Sequence, residues 1–223
     1  MRALQPTIST ITPHHDMVRS LRLIQRRGYI SALIAGGAIR DMYFQHPIKD
    51  IDIFLWDPDT KGNNECHPAD AGSINEKYIT KLMDLDVVQS WYRRDFAMRS
   101  GLGEDEEYMV TKHVTQVWSV VKNELPYQLI FLNIKPLEFV EKHFDLALCK
   151  AYCDGYKIRY TKDFSIDAQR QTLTICSHGL TQRHFDYILE TYLPRIKEKY
   201  PNFVAKVADH NVQFVDPKNS HLI

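Results

Sequence analysis

Leu33–Leu55 reads LIAGGAIRDMYFQHPIKDIDIFL and falls into three pieces. Ser31–Ala35 is a short apolar run that predicts a strand starting just upstream of the quoted stretch. Gly36-Gly37 then opens a brief helical segment, Ala38–Phe44, which Pro47 closes. Asp50-Ile51-Asp52-Ile53-Phe54-Leu55 begins by alternating charged and apolar residues, the pattern of a second strand.

Side chains alternate faces along a strand, so Asp50 and Asp52 share one face, roughly 7 Å apart along the backbone, while Ile51 and Ile53 point into the core. Two carboxylates this close raise one another's pKa unless a cation sits between them. Hard divalent cations take oxygen ligands of this kind, one or two carboxylates together with substrate phosphates. The diglycine supplies a matching half, because glycine lets backbone approach a ligand and helix N-terminal amides bind anions. A phosphate cradle followed by a metal-binding pair points to phosphoryl or nucleotidyl transfer. Taken singly, a Gly-Gly after a strand is a tight turn and an Asp-x-Asp is a solvated strand face; the joint spacing carries the information.

Gly36-Gly37-x-x-Arg40-Asp41 followed by Asp50-x-Asp52 resembles the signature of the DNA polymerase beta-like nucleotidyltransferase superfamily. The form is that of the tRNA CCA-adding and bacterial poly(A) polymerase branch. The strong resemblance covers about 25 residues, with weaker echoes to Tyr160, and does not extend to the long helical domains of CCA-adding enzymes. It implies an α+β fold: a mixed, mainly antiparallel sheet flanked by helices. Residues 1–160 would form the nucleotidyltransferase core, interrupted by an insertion loop over 56–72, and 161–223 a short C-terminal helical extension.

The resemblance also implies a chemistry. Asp50 and Asp52 hold Mg²⁺ or Mn²⁺; Gly36, Gly37 and Arg40 meet the phosphates of a nucleoside triphosphate, ATP among them. An acceptor hydroxyl attacks the α-phosphorus and pyrophosphate leaves. An RNA 3′ end of tRNA type is the first acceptor, a protein or small-molecule hydroxyl the next. Superfamily members present a third acid on a neighbouring strand, where this chain has the neutral Gln128 in Tyr127–Leu132. Asp145 is the substitute, in a Phe-Asp that resembles the start of a late strand in phage-encoded relatives, or else a strand-end cap or ion-pair partner. Arg40 and Asp41 equally suit an internal ion pair, with Asp41 mainly structural. A binding module that kept the fold and lost the chemistry is the rival reading, and Gln128 is what favours it. A phosphohydrolase with Asp-x-Asp as nucleophile ranks low, because the strand continues through Ile53-Phe54-Leu55.

Composition sets the frame. The chain has 223 residues, 44% hydrophobic and 25% charged, with formal net charge zero, which suits one globular domain with or without a small appendage. Zero net charge argues against gripping long nucleic acid by bulk electrostatics, though not against a local basic groove. Cys66, Cys149, Cys153 and Cys176 form no C-x-x-C pair, and Cys149 and Cys153 read as core residues on one strand. Neither a transmembrane run nor a signal peptide is evident, so the expected location is the cytoplasm, that of the host if the protein is virus-encoded.

Elsewhere, Asp16–Gly28 predicts a helix with Met17, Leu21 and Ile24 inward and Arg19, Arg22, Arg26 and Arg27 outward, a solvated face or a contact with nucleic acid backbone. Ser73 and Glu76 form a capping box for a helix with Ile79, Leu82 and Met83 inward, ending near Val88. Arg93, Arg94 and Arg99 precede an acidic cluster, Glu104–Glu107. Val114–Val121 and Tyr127–Leu132 predict an antiparallel pair, Phe144–Cys153 a strand, and Asp154-Gly155 a two-residue hairpin turn into Tyr156–Tyr160. A linker with one short strand follows. Phe185, Ile188, Leu189, Tyr192, Leu193 and Ile196 then form a helical stripe with a kink or a break expected at Pro194.

Overall fold

The computed structural model describes residues 15–26, 31–56, 86–92, 113–122, 125–176 and 182–208. The insertion loop over 57–72 with Cys66, His67 and Asp70, the capping box at Ser73, the Arg93–Glu107 segment and the tail from Asp209 lie outside them.

Seven strands build one sheet: β1 Ser31–Ala35, β2 Ile51–Trp56, β3 Asp86–Tyr92, β4 Val114–Lys122, β5 Leu125–Leu132, β6 Ala151–Cys153 and β7 Ile158–Tyr160, in the order β3-β4-β5-β2-β1-β6-β7. Every neighbouring pair is antiparallel except β2 and β5, which run parallel. The α+β architecture expected from the sequence is therefore present. Helix α1, His15–Gln25, buries Met17, Leu21 and Ile24 completely or nearly so, and α2, Gly37–Tyr43, buries Ala38 and Ile39. Both cover the sheet face that carries Ile34, Ile51, Ile53, Leu55 and Leu129. The other face carries Leu33, Ala35, Phe54, Val117 and Ile130, and is covered by Phe139 and Val140 of α3, Pro136–His143.

Several local expectations are corrected. Asp86–Val88 begins a strand, not the end of a helix. Phe144–Cys153 is not one strand: Leu146 makes a single bridge to Ile175, Ala147–Cys149 is a 3-10 turn, and only Ala151–Cys153 joins the sheet. Apolar residues buried on every side satisfy a turn as well as a strand, so the apolar run does not distinguish them. Cys149 and Cys153 are both buried, but Cys149 belongs to that turn. The β6–β7 connection has four residues, since Cys153 pairs with Ile158. Asp154 shapes it by accepting hydrogen bonds from the backbone N–H groups of Tyr156 and Lys157, both at 2.9 Å, and Gly155 takes φ +91.

The supposed linker after Tyr160 holds a helix, α4, Lys162–Arg170. Thr161 caps it by accepting from the Phe164 amide at 3.2 Å, and Gln171 ends it in the left-handed region at φ 53. A separate two-stranded parallel sheet joins β8, Thr172–Ile175, to β9, Val204–Val207. Between them lie α5, Gln182–Tyr187, a π-helical segment, Ile188–Tyr192, and α6, Leu193–Lys199. Pro194 lacks an N–H and its ring crowds the carbonyl four residues back. The wider π turn just before it is how the chain passes this residue without ending the helix. Ile188, Leu193, Ile196, Tyr200 and Phe203 share the larger core with Ile34 and Ile53.

Candidate active site

Strand β1 ends at Ala35, and the diglycine turns the chain into α2. Gly36 sits at φ +82, ψ −136, backbone that residues with a Cβ avoid. Its N–H donates to the Ala151 carbonyl at 3.3 Å and its carbonyl accepts from the Arg40 amide at 3.1 Å. A Cβ built on Gly36 would stand 3.7 Å from Asp52 Oδ2 and 3.6 Å from the Phe144 ring. A Cβ on Gly37 would stand 3.5 Å from Arg40 Nη2. One carboxylate and one guanidinium thus flank the two glycines.

Asp52 pairs with Ala35 on β1 and with Gln128 on β5. It lies on the same sheet face as Phe54, the face under α3, while Ile51 and Ile53 enter the opposite core. The carboxyl is only partly exposed. Burial pushes its pKa up and the neighbouring Asp50 pushes it further, against the opposing pull of Arg40, to about 7. Asp50 precedes β2 by one residue instead of belonging to it. A buried carboxyl with a second carboxylate next to it offers oxygen donors of the kind a hard divalent cation takes. Among the described residues no group of three or more His, Cys, Asp or Glu side chains is placed to hold a metal.

Arg40 and Asp41 are 4% and 3% exposed and form an internal network. Arg40 Nε donates to Asp41 Oδ1 at 2.8 Å and to the Tyr200 hydroxyl at 3.3 Å, and Nη1 donates to Cys149 Sγ at 3.3 Å. The Tyr200 hydroxyl donates to Asp41 Oδ1 at 2.8 Å, and Lys199 Nζ donates to Asp41 Oδ2. Burial alone would raise the Asp41 pKa; Arg40, Lys199 and Tyr200 outweigh it and hold the carboxyl below its ordinary range. Arg40 Nη2 also lies 2.8 Å from Asp41 Oδ1, so the guanidinium edge beside Gly37 is itself held by the internal network.

Asp145 is not gathered with the acidic pair. Its Oδ1 lies 3.0 Å from His184 Nε2 on α5, a hydrogen-bonding partner other than Arg40. Gln128 sits beside Asp52 in register, at the place where a third acid was expected. Phe144, Cys149, Lys199 and Tyr200 complete the surroundings of the motif and were not singled out from the sequence as parts of it. Tyr200 reaches Arg40 across 160 positions, a separation that leaves no local signal.

A family profile described as "Gad2: Gabija anti-defense 2 family protein" matches residues 7–171. No curated protein matches the sequence. Among solved structures the fold is similar to a CCA-adding enzyme in complex with CTP, at TM-score 0.51 and 11% identity over 86% of this chain and 40% of that one. It is similar too to a CCA-adding enzyme with ATP, at 0.50 and 9% over 86% and 38%, and to a CCA-adding enzyme in its apo form I, at 0.50 and 11% over 87% and 39%. The chain spans about two fifths of the length of those enzymes, and the likeness is one of fold.

Proposed function

The chain belongs to the Gabija anti-defense 2 family, and from that premise we propose that it transfers a nucleoside monophosphate from a nucleoside triphosphate to an acceptor hydroxyl. The observation that carries the reading is the placement of Asp52 Oδ2 beside Gly36 and Arg40 Nη2 beside Gly37. A carboxylate and a guanidinium flank a bend whose Gly37 amide suits a phosphate oxygen. Asp50 and Asp52 would hold Mg²⁺ or Mn²⁺. When bound, the cation supplies charge stabilisation for the triphosphate and the departing pyrophosphate.

The Gly37 amide would donate to a phosphate oxygen, the Gly36 N–H being engaged by the Ala151 carbonyl, and Arg40, while paired with Asp41, would add its positive charge from the α2 side. Asp41 holds Arg40 in place. Lys199 and Tyr200 hold Asp41, so the end of α6 braces the helix that follows the diglycine. Asp145, in contact with His184, takes no step in the transfer. The acceptor hydroxyl attacks the α-phosphorus, and the bond to pyrophosphate breaks. An RNA 3′ end of tRNA type is the first acceptor, supported by the fold shared with CCA-adding enzymes; a protein hydroxyl is the second. The family description favours a virus-encoded modifier working in the host cytoplasm. No helix among the described residues is long and apolar enough to cross a membrane.

The test is incubation with each α-labelled nucleoside triphosphate, Mg²⁺, and a lysate containing RNA and protein. The expected result is label on RNA with equimolar pyrophosphate, abolished by Asp52→Asn. Label that persists in Asp52→Asn ends the assignment. A second reading rests on Gln128 beside Asp52: a module that binds a nucleotide without turning it over. Thermal stabilisation by a triphosphate regardless of Mg²⁺, with no pyrophosphate, selects that reading.

A further inference from the structure

Helix α1 carries Arg19 and Arg22 on its outer side, and Arg26 follows its last residue with its N–H donating to the Arg22 carbonyl at 3.0 Å; all three are exposed. Spacings of three and four place them in one row on the helix surface, spanning roughly 10 Å. With Val18 and Leu23 they line a groove of about 370 Å³. In a chain of zero net charge this row is a local concentration of positive charge.

The groove is bordered by a loop that is fastened down. Arg22 Nε donates to the Gly155 carbonyl, and Gln25 Nε2 donates to the Asp154 carbonyl at 2.9 Å and the Ala32 carbonyl at 2.8 Å. Packing is close enough that a Cβ on Gly155 would stand 2.6 Å from Gln25 Oε1. The loop presents Tyr156, 74% exposed, with the Arg22 guanidinium 4.7 Å from its ring centre, and the exposed Lys157 beside it. The acid of the loop, Asp154, is engaged by Arg159 Nε at 2.8 Å, so its charge is matched before it reaches the row.

A row of arginines beside a solvent-facing aromatic ring is the combination that holds single-stranded nucleic acid, with phosphates on the cations and a base on the ring. We propose that the outer face of α1, together with Tyr156 of the β6–β7 loop, binds a single strand of nucleic acid. The tyrosine favours this partner over an acidic protein surface, because a base offers a flat face to stack on it. Helix α1 covers the sheet face opposite the one that bears Asp52. The surface therefore tethers a strand at a distance from its reacting end. It deepens the acceptor half of the proposed function but does not need the transfer chemistry.

The test measures fluorescence anisotropy of short labelled oligouridine and oligothymidine with the full chain, across a salt series and without nucleoside triphosphate. Binding of either strand that weakens with salt supports the proposal, and the two arms separate RNA from DNA. Arg19→Ala with Arg26→Ala is expected to weaken binding about tenfold or more at low salt and to reduce the salt slope by about 0.7 per arginine removed. Tyr156→Ala is expected to weaken binding about tenfold while leaving the slope unchanged. All three side chains are exposed, so the unfolding temperature should stay level and rule out misfolding. Wild-type affinity in the double variant, or competition by polyglutamate as effective as by oligonucleotide, overturns the proposal. Because no triphosphate is present, a failed transfer assay leaves this result standing, and a failed binding assay leaves the transfer reading intact.

Discussion

Asp41 and Asp52 are recessed aspartates on either side of the same short connection, and they are treated in opposite ways. Asp41 is met by a guanidinium, an ammonium and a phenol, and its pKa falls. Asp52 meets burial and a second carboxylate, with Arg40 as the opposing charge, and its pKa climbs to about 7. A group whose charge is satisfied internally is part of the scaffold; one whose charge is left in tension is waiting for a ligand. The contrast agrees with Asp41 as scaffold and, on the proposed function, with Asp52 as the ligand-facing carboxylate.

The comparison breaks most visibly at Asp41. Asp41→Asn leaves Arg40 and Lys199 without their shared anion, and breaking such a buried pair costs about 3 kcal/mol. In a domain of this size that is a fall of about 6–12 °C in Tm, readable by calorimetry. A level Tm would mean that the network contributes little and that Asp41 is not scaffold.

Asp52→Asn should move the other way. The folded carboxyl binds its proton more tightly than the unfolded one, so its contribution to stability is greatest below about pH 4 and is lost as pH rises through about 7. The variant should therefore melt higher than the wild type in chelator, by a few degrees, since about 1 kcal/mol moves Tm by about 2–4 °C. The gap should widen from pH 5 to pH 8 and close when Mg²⁺ is added. A gap that is independent of pH would show that the charge on Asp52 is not the cause.

The smallest effect sharpens the same contrast. Tyr200→Phe removes one donor to Asp41 and one acceptor for Arg40 while keeping the ring against Phe44, at 5.1 Å between centroids. The expected cost is about 1 kcal/mol. The KM for the nucleoside triphosphate should rise more than kcat falls, because Arg40 loses one of the contacts that aim it. An effect on kcat alone would place Tyr200 closer to the chemistry than its contacts indicate.

How much of this was legible follows from how local each signal is. The strand, bend, helix and strand of residues 31–56 could be read because glycine, proline and alternating carboxylates each act within a few positions. The β4–β5 pair and the buried stripe of α1 were legible for the same reason. The strand at Asp86–Tyr92 was misread because the valines after Asp86 continue an apolar pattern that suits a helix. Helix α4 was passed over because its sequence, KDFSIDAQR, is largely polar and buries little beyond Phe164, Asp167 and Ala168. At the site, the Asp52–Gly36 approach was foreseeable from spacing, as was the position of Gln128. The bracing of Asp41 by Lys199 spans 158 positions and rests on how the C-terminal segment folds back, which no short-range pattern records.

The π-helical turn at Ile188–Tyr192 sets the phase of everything after it. A helix advances about 100° per residue, and a π turn accommodates one residue more than an α turn would. Shortening that turn by a single position would give a regular helix in better local order, yet Lys199 and Tyr200 would swing about a quarter of a revolution away from Asp41. The irregularity works as a rotational setting for the bracing of Asp41, adjustable in whole-residue steps at a distance from Asp41 itself.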